Sequence, residues 1–241
     1  MPYSVEPRFT NGRVPPLSII VPALDEAAII AGALQALAPF RQRGAEVIVV
    51  DGGSQDGTAE LARPHADRVI PAERGRGAQM NAGARIARGE VLLFLHADTS
   101  LPPDADRLVL RALVGANAWG RFDVHIEGRS PLLALVATLM NWRSRLTGIA
   151  TGDQAMFASR KIFAEAGGFP EIPLMEDIAL SQTLKRIARP ICLAARVTTS
   201  GRRWERHGVV RTMLMMWRLR LAFFLGADPA ALARRYGYVD R

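Results

Sequence analysis

Val47-Ile48-Val49-Val50-Asp51-Gly52-Gly53-Ser54-Gln55-Asp56-Gly57-Thr58 decides how the rest of the chain is read. Four β-branched residues in succession present no polar face, so they predict a strand buried on both sides within a parallel sheet. The run stops at an acid, two glycines and a serine, the composition of a tight turn that leads into a helix. Asp51 therefore stands at the carboxyl end of a central strand, the edge at which open α/β sheets bind their ligands.

Working outward, the same unit recurs. Residues 17–21 read as a strand ending at Pro22-Ala23-Leu24-Asp25-Glu26, followed by an Ala-rich helix over 27–38. Residues 46–50 form the second strand, with a short helix over 56–62. A weaker strand over 68–70 leads through Glu73-Arg74-Gly75-Arg76-Gly77 into a helix over 78–87, and residues 91–95 form a fourth strand ending at His96-Ala97-Asp98. Strands alternating with helices at this spacing predict an α/β fold, Rossmann-like, with a mostly parallel central sheet flanked by helices.

This arrangement puts Asp25, Glu26, Asp51, Arg74, Arg76, His96 and Asp98 on one rim of one sheet. Each has a chemical use there. Asp25 and Asp51 can accept from a base imino group or from ribose hydroxyls. Gly52 and Gly53 let the backbone approach a ligand closely. Arg74 and Arg76 offer fork geometry to phosphate oxygens. Asp98 supplies hard oxygen to a divalent cation, Mg2+ or Mn2+, with His96 as a borderline second ligand or as an imidazole hydrogen-bonded to backbone. A lone acid after a strand is commonly a helix cap, and it is the company of the others that argues for a nucleotide.

With 241 residues, 49% hydrophobic and 22% charged, the chain fits one globular domain, and its single Cys192 suits a reducing compartment such as the cytoplasm. Residues 1–16 read as an N-terminal arm without the apolar core of a signal peptide. Residues 17–100 then form a nucleotide-binding half and 101–241 an acceptor-side half. The net charge of +8 comes from the last quarter, where 13 basic residues face 3 acidic ones over 181–241. That excess suits a solvated basic face, an anionic membrane surface or a diphosphate; without interleaved aromatics or a recognised motif it argues against nucleic acid.

A C-terminal helical region is expected on the acceptor side. A helix is expected over 104–114, a half-buried strand over 121–127, and an apolar helix over 132–140 continuing to Arg143, capped by Ser130-Pro131. Gly152-Asp153-Gln154 precedes a strand over 155–158. Met175-Glu176-Asp177 opens a helix, where acids are favoured by the macrodipole. Residues 209–225 are apolar nearly all round, with Arg211 and Arg218 on one face and Arg220 opposite. Together with 131–142 they form either buried helices or a peripheral membrane contact, and neither is long enough to span a bilayer, which needs roughly 20 apolar residues.

The run Ser18-Ile19-Ile20-Val21-Pro22-Ala23-Leu24-Asp25-Glu26, then Val49 to Thr58, then His96-Ala97-Asp98 and Met175-Glu176-Asp177, resembles a family-2 glycosyltransferase with the GT-A fold. The resemblance covers residues 18–177. It implies a nucleotide-sugar donor whose base and ribose lie near Pro22, Ala23, Asp25, Glu26, Asp51, Gly52 and Gly53. It also implies a divalent cation on Asp98, and Asp177 as catalytic base of an inverting hexosyl transfer. The turn Gly152-Asp153-Gln154, Glu176 and the pair Arg203-Trp204 fall on the acceptor or diphosphate side. The acceptor, a hydroxyl or phosphate, is unidentified and lipid linkage is open to it; a lipid-linked acceptor would place the protein at the inner membrane face. One departure is that His96 stands where the family usually has the first acid of Asp-x-Asp. Two rival readings are a non-catalytic basic protein binding nucleotide or membrane surface, and an α/β-hydrolase using Ser54 with Asp177 and His207. A dinucleotide dehydrogenase would need G-x-G-x-x-G after the first strand, which is absent.

Overall fold

The computed structural model describes residues 15–113 and 118–237. All but the last two residues of the expected arm over 1–16, and Val114 at the expected end of the 104–114 helix, lie outside the described residues.

The four expected strands are β1 (Leu17–Ala23), β2 (Glu46–Asp51), β3 (Arg68–Pro71) and β4 (Val91–Phe94), and they pair in parallel. Four more complete the sheet: β5 (Thr99–Ser100), β6 (Trp119–Glu127), β7 (Phe157–Ser159) and β8 (Ile191–Ser200). The order is β3-β2-β1-β4-β7-β6-β8-β5, with β7 antiparallel to both neighbours and β8 parallel to β6.

Burial on both faces follows from the period of two. Ile19, Val21, Val47 and Val49 join one core, which includes Phe40 of α2 (Ala38–Gln42). Ile20, Ile48, Val50 and Phe94 join the other, with Met80 of α4 (Arg76–Ile86). Helix α4 lies close because Gly83 has no side chain; a β-carbon there would stand 2.5 Å from Ile20 Cγ2.

Several expectations need correction. The helix expected over 27–38 is interrupted: α1 (Ile30–Gln35) stops and α2 starts with Pro39 in its first turn, where a missing N–H costs nothing. The short helix expected over 56–62 begins two residues later, as α3 (Thr58–Ala62), preceded by Gly57 at a positive φ. Strand β6 is buried on both sides over most of its length, because Arg121 is satisfied internally by Asp123, the Ser144 hydroxyl and the Asn141 carbonyl. A strand that the sequence reading did not name, β8, pairs with β6 from Gly120 to Glu127, with a register shift between Phe122 and Asp123. The faces of β8 alternate across that shift, with Val197 and Thr199 buried.

The remaining helices are α5 (Ala105–Ala112), α6 (Leu132–Thr147), α7 (Arg160–Glu165), α8 (Glu176–Ile187), α9 (Arg202–His207), α10 (Val209–Phe224) and α11 (Pro229–Tyr236). Pro131 precedes α6 without a side-chain cap; the Ser130 carbonyl, not its hydroxyl, accepts from Leu133 N–H. A third small core joins Met175 and Ile178 to Leu219 of α10 and Leu232 of α11. Among the described residues no helix is long and apolar enough to cross a membrane.

Candidate active site

The ends of β1 and β2 are tied together first. Gly52 N–H donates to the Ala23 carbonyl, and the buried Gln79 amide donates to the carbonyls of Ala23 and Val50. Gln79 was not singled out by the sequence, which gives no hint of its staple. Pro22 and Ala23 are buried inside β1, so they back the rim rather than line it. Asp51 is buried too, and its carboxylate accepts from Gly53 N–H, Ser54 N–H and the Ser54 hydroxyl. Ser54 Oγ in turn accepts from Asp25 N–H at 2.9 Å. Asp51 thus shapes the loop, and its hydroxyl partner is not poised as a hydrolase nucleophile. What the loop leaves exposed is Gly53, Gln55, Asp56 and, at a φ of 53°, Asp25, whose Oδ1 accepts from Gln55 N–H at 3.0 Å.

At the end of β4, His96 of the expected rim meets the Gly152-Asp153-Gln154 turn. His96 Nδ1 lies 3.5 Å from Asp153 Oδ1, and the His96 ring packs against Gly152, where a β-carbon would collide with Nε2. Burial alone would push the imidazole down, but Asp153, seconded by Asp98, outweighs it and raises its pKa against the opposition of Arg76. Asp153 is held below the ordinary carboxylate value, since His96, Arg76 and Arg220 outweigh burial. Gly152 N–H donates to Asp177 Oδ2 at 2.8 Å, and Asp177 Oδ1 accepts from Ile178 N–H. The adjacent Glu176 is buried, its Oε1 3.2 Å from Arg76 Nε; burial pushes it up and Asp177 adds to this, while Arg76 opposes.

Non-glycine residues with positive φ are strained, and among the described residues they are Asp25, Ala155 and Met175. All three border this rim: Asp25 after β1, Ala155 directly after the Gly152–Gln154 turn, and Met175 as the residue preceding α8.

A divalent cation is fitted by the donor set only in part. No group of three or more His, Cys, Asp or Glu that could hold a metal occurs among the described residues. Asp98 is an exposed carboxylate, and burial together with the Asp98 charge pushes Glu26 up, a crowding of like charges that a cation would relieve. One carboxylate plus substrate oxygens and water is an ordinary magnesium arrangement. His96, with Nδ1 turned to Asp153 and Nε2 against Gly152, is occupied by its own turn.

Other residues lie elsewhere. Arg74 is exposed beyond β3. Arg203 stacks its guanidinium on the Tyr236 ring at 3.7 Å and so holds α11. Trp204 lines a cavity of about 320 Å³ between α6, α9 and α10, together with Asp153 and two arginines that the sequence did not single out as site residues, Arg143 and Arg220. Burial pushes Arg143 down to about 10, with Arg220 adding repulsion and Asp177 opposing it. The helical period had separated Arg220 from the exposed Arg211 and Arg218, and that separation is observed.

A sequence profile described as Glycosyl transferase family 2 matches residues 18–164. A PGL/p-HBAD biosynthesis glycosyltransferase of Mycobacterium bovis is 38% identical over 109 residues, 42% of this chain and 42% of that protein. An undecaprenyl-phosphate 4-deoxy-4-formamido-L-arabinose transferase of Pseudomonas aeruginosa is 29% identical over 146 residues, 56% of this chain and 41% of its own. The chain thus spans about two fifths of the length of these curated relatives. A mannosyltransferase from Pyrobaculum calidifontis, solved with GDP-Man and Mn2+, superposes with a TM-score of 0.61 at 24% identity, over 92% of this chain and 64% of that one. With the profile covering more than half of the sequence and a sheet of matching architecture beneath it, the chain belongs to glycosyl transferase family 2 and has the GT-A fold.

Proposed function

We propose that this protein transfers a sugar from a nucleotide-diphosphate donor to an acceptor hydroxyl or phosphate, with inversion at the anomeric carbon. The observation that supports the reading is the joint between Asp177 and the His96–Asp153 turn, which brings a carboxylate from α8 to the end of β4, beyond which Asp98 stands.

Asp25 accepts from the base or ribose, and Gly53 allows the ligand close to the loop that Asp51 shapes. Arg76 pairs with the diphosphate. Asp98 would hold Mg2+ or Mn2+, with the diphosphate supplying further oxygens; the ion, when bound, neutralises charge on the leaving group. Asp177 takes the proton from an acceptor hydroxyl as its oxygen bonds to the anomeric carbon, and the bond to the diphosphate breaks with its electron pair leaving on phosphate oxygen. A phosphate acceptor arrives already ionised and needs orientation rather than a base. Glu176 steadies Arg76 from behind.

Peripheral membrane contact at a cytoplasmic face is part of the proposal. Leu135, Trp142 and Leu146 on α6 and Trp217, Leu221 and Phe224 on α10 are each at least 53% exposed, and exposed large apolar side chains on two helices support this reading.

A thermal-shift panel of UDP-, GDP- and TDP-sugars, each with and without Mn2+, tests the donor reading. Ligand at 100 times its dissociation constant adds about 2.7 kcal/mol, roughly 5 to 10 °C at this chain length. A flat response to every nucleotide sugar overturns it.

A further inference from the structure

The cavity between α6, α9 and α10 combines two chemistries that do not belong together in an unliganded core. Its mouth is apolar: Trp142, Trp217 and Leu139 line it and are 64%, 53% and 40% exposed. Deeper, Nε and Nη2 of Arg143 and Nε of Arg220 have no solvent contact and no hydrogen-bond partner among the described residues. No carboxylate of those residues lies within ion-pair distance of either guanidinium, although Asp177 acts on both electrostatically and Asp153 on Arg220. Two like charges buried side by side with donors unmet are costly. Such a cost is expected where a ligand of opposite charge repays it.

The donor side does not account for them. Around Glu26 the positive charges are Arg202 and His96, and beside Glu176 the cation is Arg76. Arg143 and Arg220 answer instead to Asp177 and Asp153, where the acceptor must approach.

We propose that this cavity is the acceptor subsite and that it takes an amphiphilic phosphate ester. The phosphate sits on Arg143 and Arg220, and its apolar chain passes between Trp142, Trp204 and Trp217 toward the exposed faces of α6 and α10. Guanidinium forks suit a phosphate, whose oxygens can be shared between two of them. A volume of about 320 Å³ is at the small end for ligand sites, enough for the head and the first part of a chain whose remainder lies outside. The identity of this site as an acceptor subsite rests on the transferase reading; binding of the amphiphile does not.

Three tryptophans in the lining give a direct readout. The whole protein is titrated with farnesyl phosphate, farnesol and inorganic phosphate below the micellar range, following tryptophan emission, for wild type, Arg143→Met and Arg220→Met. The expected result is a saturable shift with farnesyl phosphate at least about tenfold tighter than with farnesol or inorganic phosphate, the discrimination collapsing in both variants. Equal affinity for farnesol, inorganic phosphate binding as tightly as the ester, or variants that keep the discrimination would each overturn the proposal. Both variants should melt at or above the wild-type temperature, since an unpaired buried charge has been removed; melting below it would mean that the arginines serve the fold, and the assignment fails. A nucleotide-sugar thermal shift without ester discrimination sinks the subsite alone. Ester discrimination without any nucleotide response leaves the amphiphile site standing and sinks the transferase.

Discussion

Gly152 N–H donates to Asp177 Oδ2 at 2.8 Å, joining the turn after α6 to the first residues of α8. The same glycine lies against the His96 ring at the end of β4. One residue without a side chain therefore holds together three segments that are distant in the sequence.

Gly152→Ala should lower kcat by about 100-fold, because its methyl group forces His96 and the 152–154 turn apart and displacements near 1 Å at a reacting centre cost that much. Steady-state release of nucleoside diphosphate measures it. Activity within twofold of wild type would show that the close packing is incidental.

Asp177→Asn keeps an oxygen that can accept from Gly152 N–H but loses the base. With a hydroxyl acceptor kcat should fall by about 10² to 10⁴ while donor affinity is unchanged. A variant as active as wild type argues for a binding protein or for an acceptor that needs no base.

Asp98→Asn should abolish the extra thermal shift that Mn2+ adds to a donor, and leave the metal-free donor shift in place, because Asp98 is the exposed carboxylate beyond β4. Retention of the Mn2+ increment in this variant places the cation elsewhere.

Asp123 is paired with the fully buried Arg121 and with Arg145. Burial pushes its carboxyl up, but Arg145 and Arg121 outweigh this and hold it below the ordinary 3.8. A depressed carboxylate contributes stability that is full above pH 3.8 and is lost as the pH falls through its lower folded value. Asp123→Asn should therefore cost about 3 to 5 kcal/mol in urea denaturation at pH 7, by leaving Arg121 charged and buried, and the deficit should narrow in acid. An unchanged midpoint at neutral pH contradicts this.

Vesicles containing anionic lipid should carry the protein upward in a flotation gradient at low salt, and Trp217→Glu with Leu221→Glu should leave it at the bottom. Wild-type protein that stays at the bottom rules the membrane contact out.

The first hundred residues were legible because local pattern and tertiary role coincide there. Val47 to Val50 can only be a strand buried on both faces, and the acids beyond each strand share a rim by topology. Where local pattern was silent, the reading fell short. Strand β8 escaped notice because its more covered positions, Ala195, Val197 and Thr199, include a small and a polar residue, so the alternation in burial is not one of hydrophobicity, and Arg121 reads as the exposed half of an alternating strand although Asp123, Ser144 and Asn141 surround it. Asp51, read as a ligand-facing acid, spends its carboxylate on its own loop.

The sequence by itself determined the parallel half of the sheet and the rim beyond its strands where Asp25 and Asp98 stand, since these follow from short runs of one period and composition, while the family and Asp177 came from the resemblance of four motifs. Only the tertiary structure decided that Gly152 serves Asp177, that Gln79 staples two strand ends, and that Arg220 meets Arg143 under a tryptophan roof. The helical period could say that Arg220 points away from Arg211 and Arg218. It could not say what waits on that side, because burial is a property of what packs against a face and not of the face.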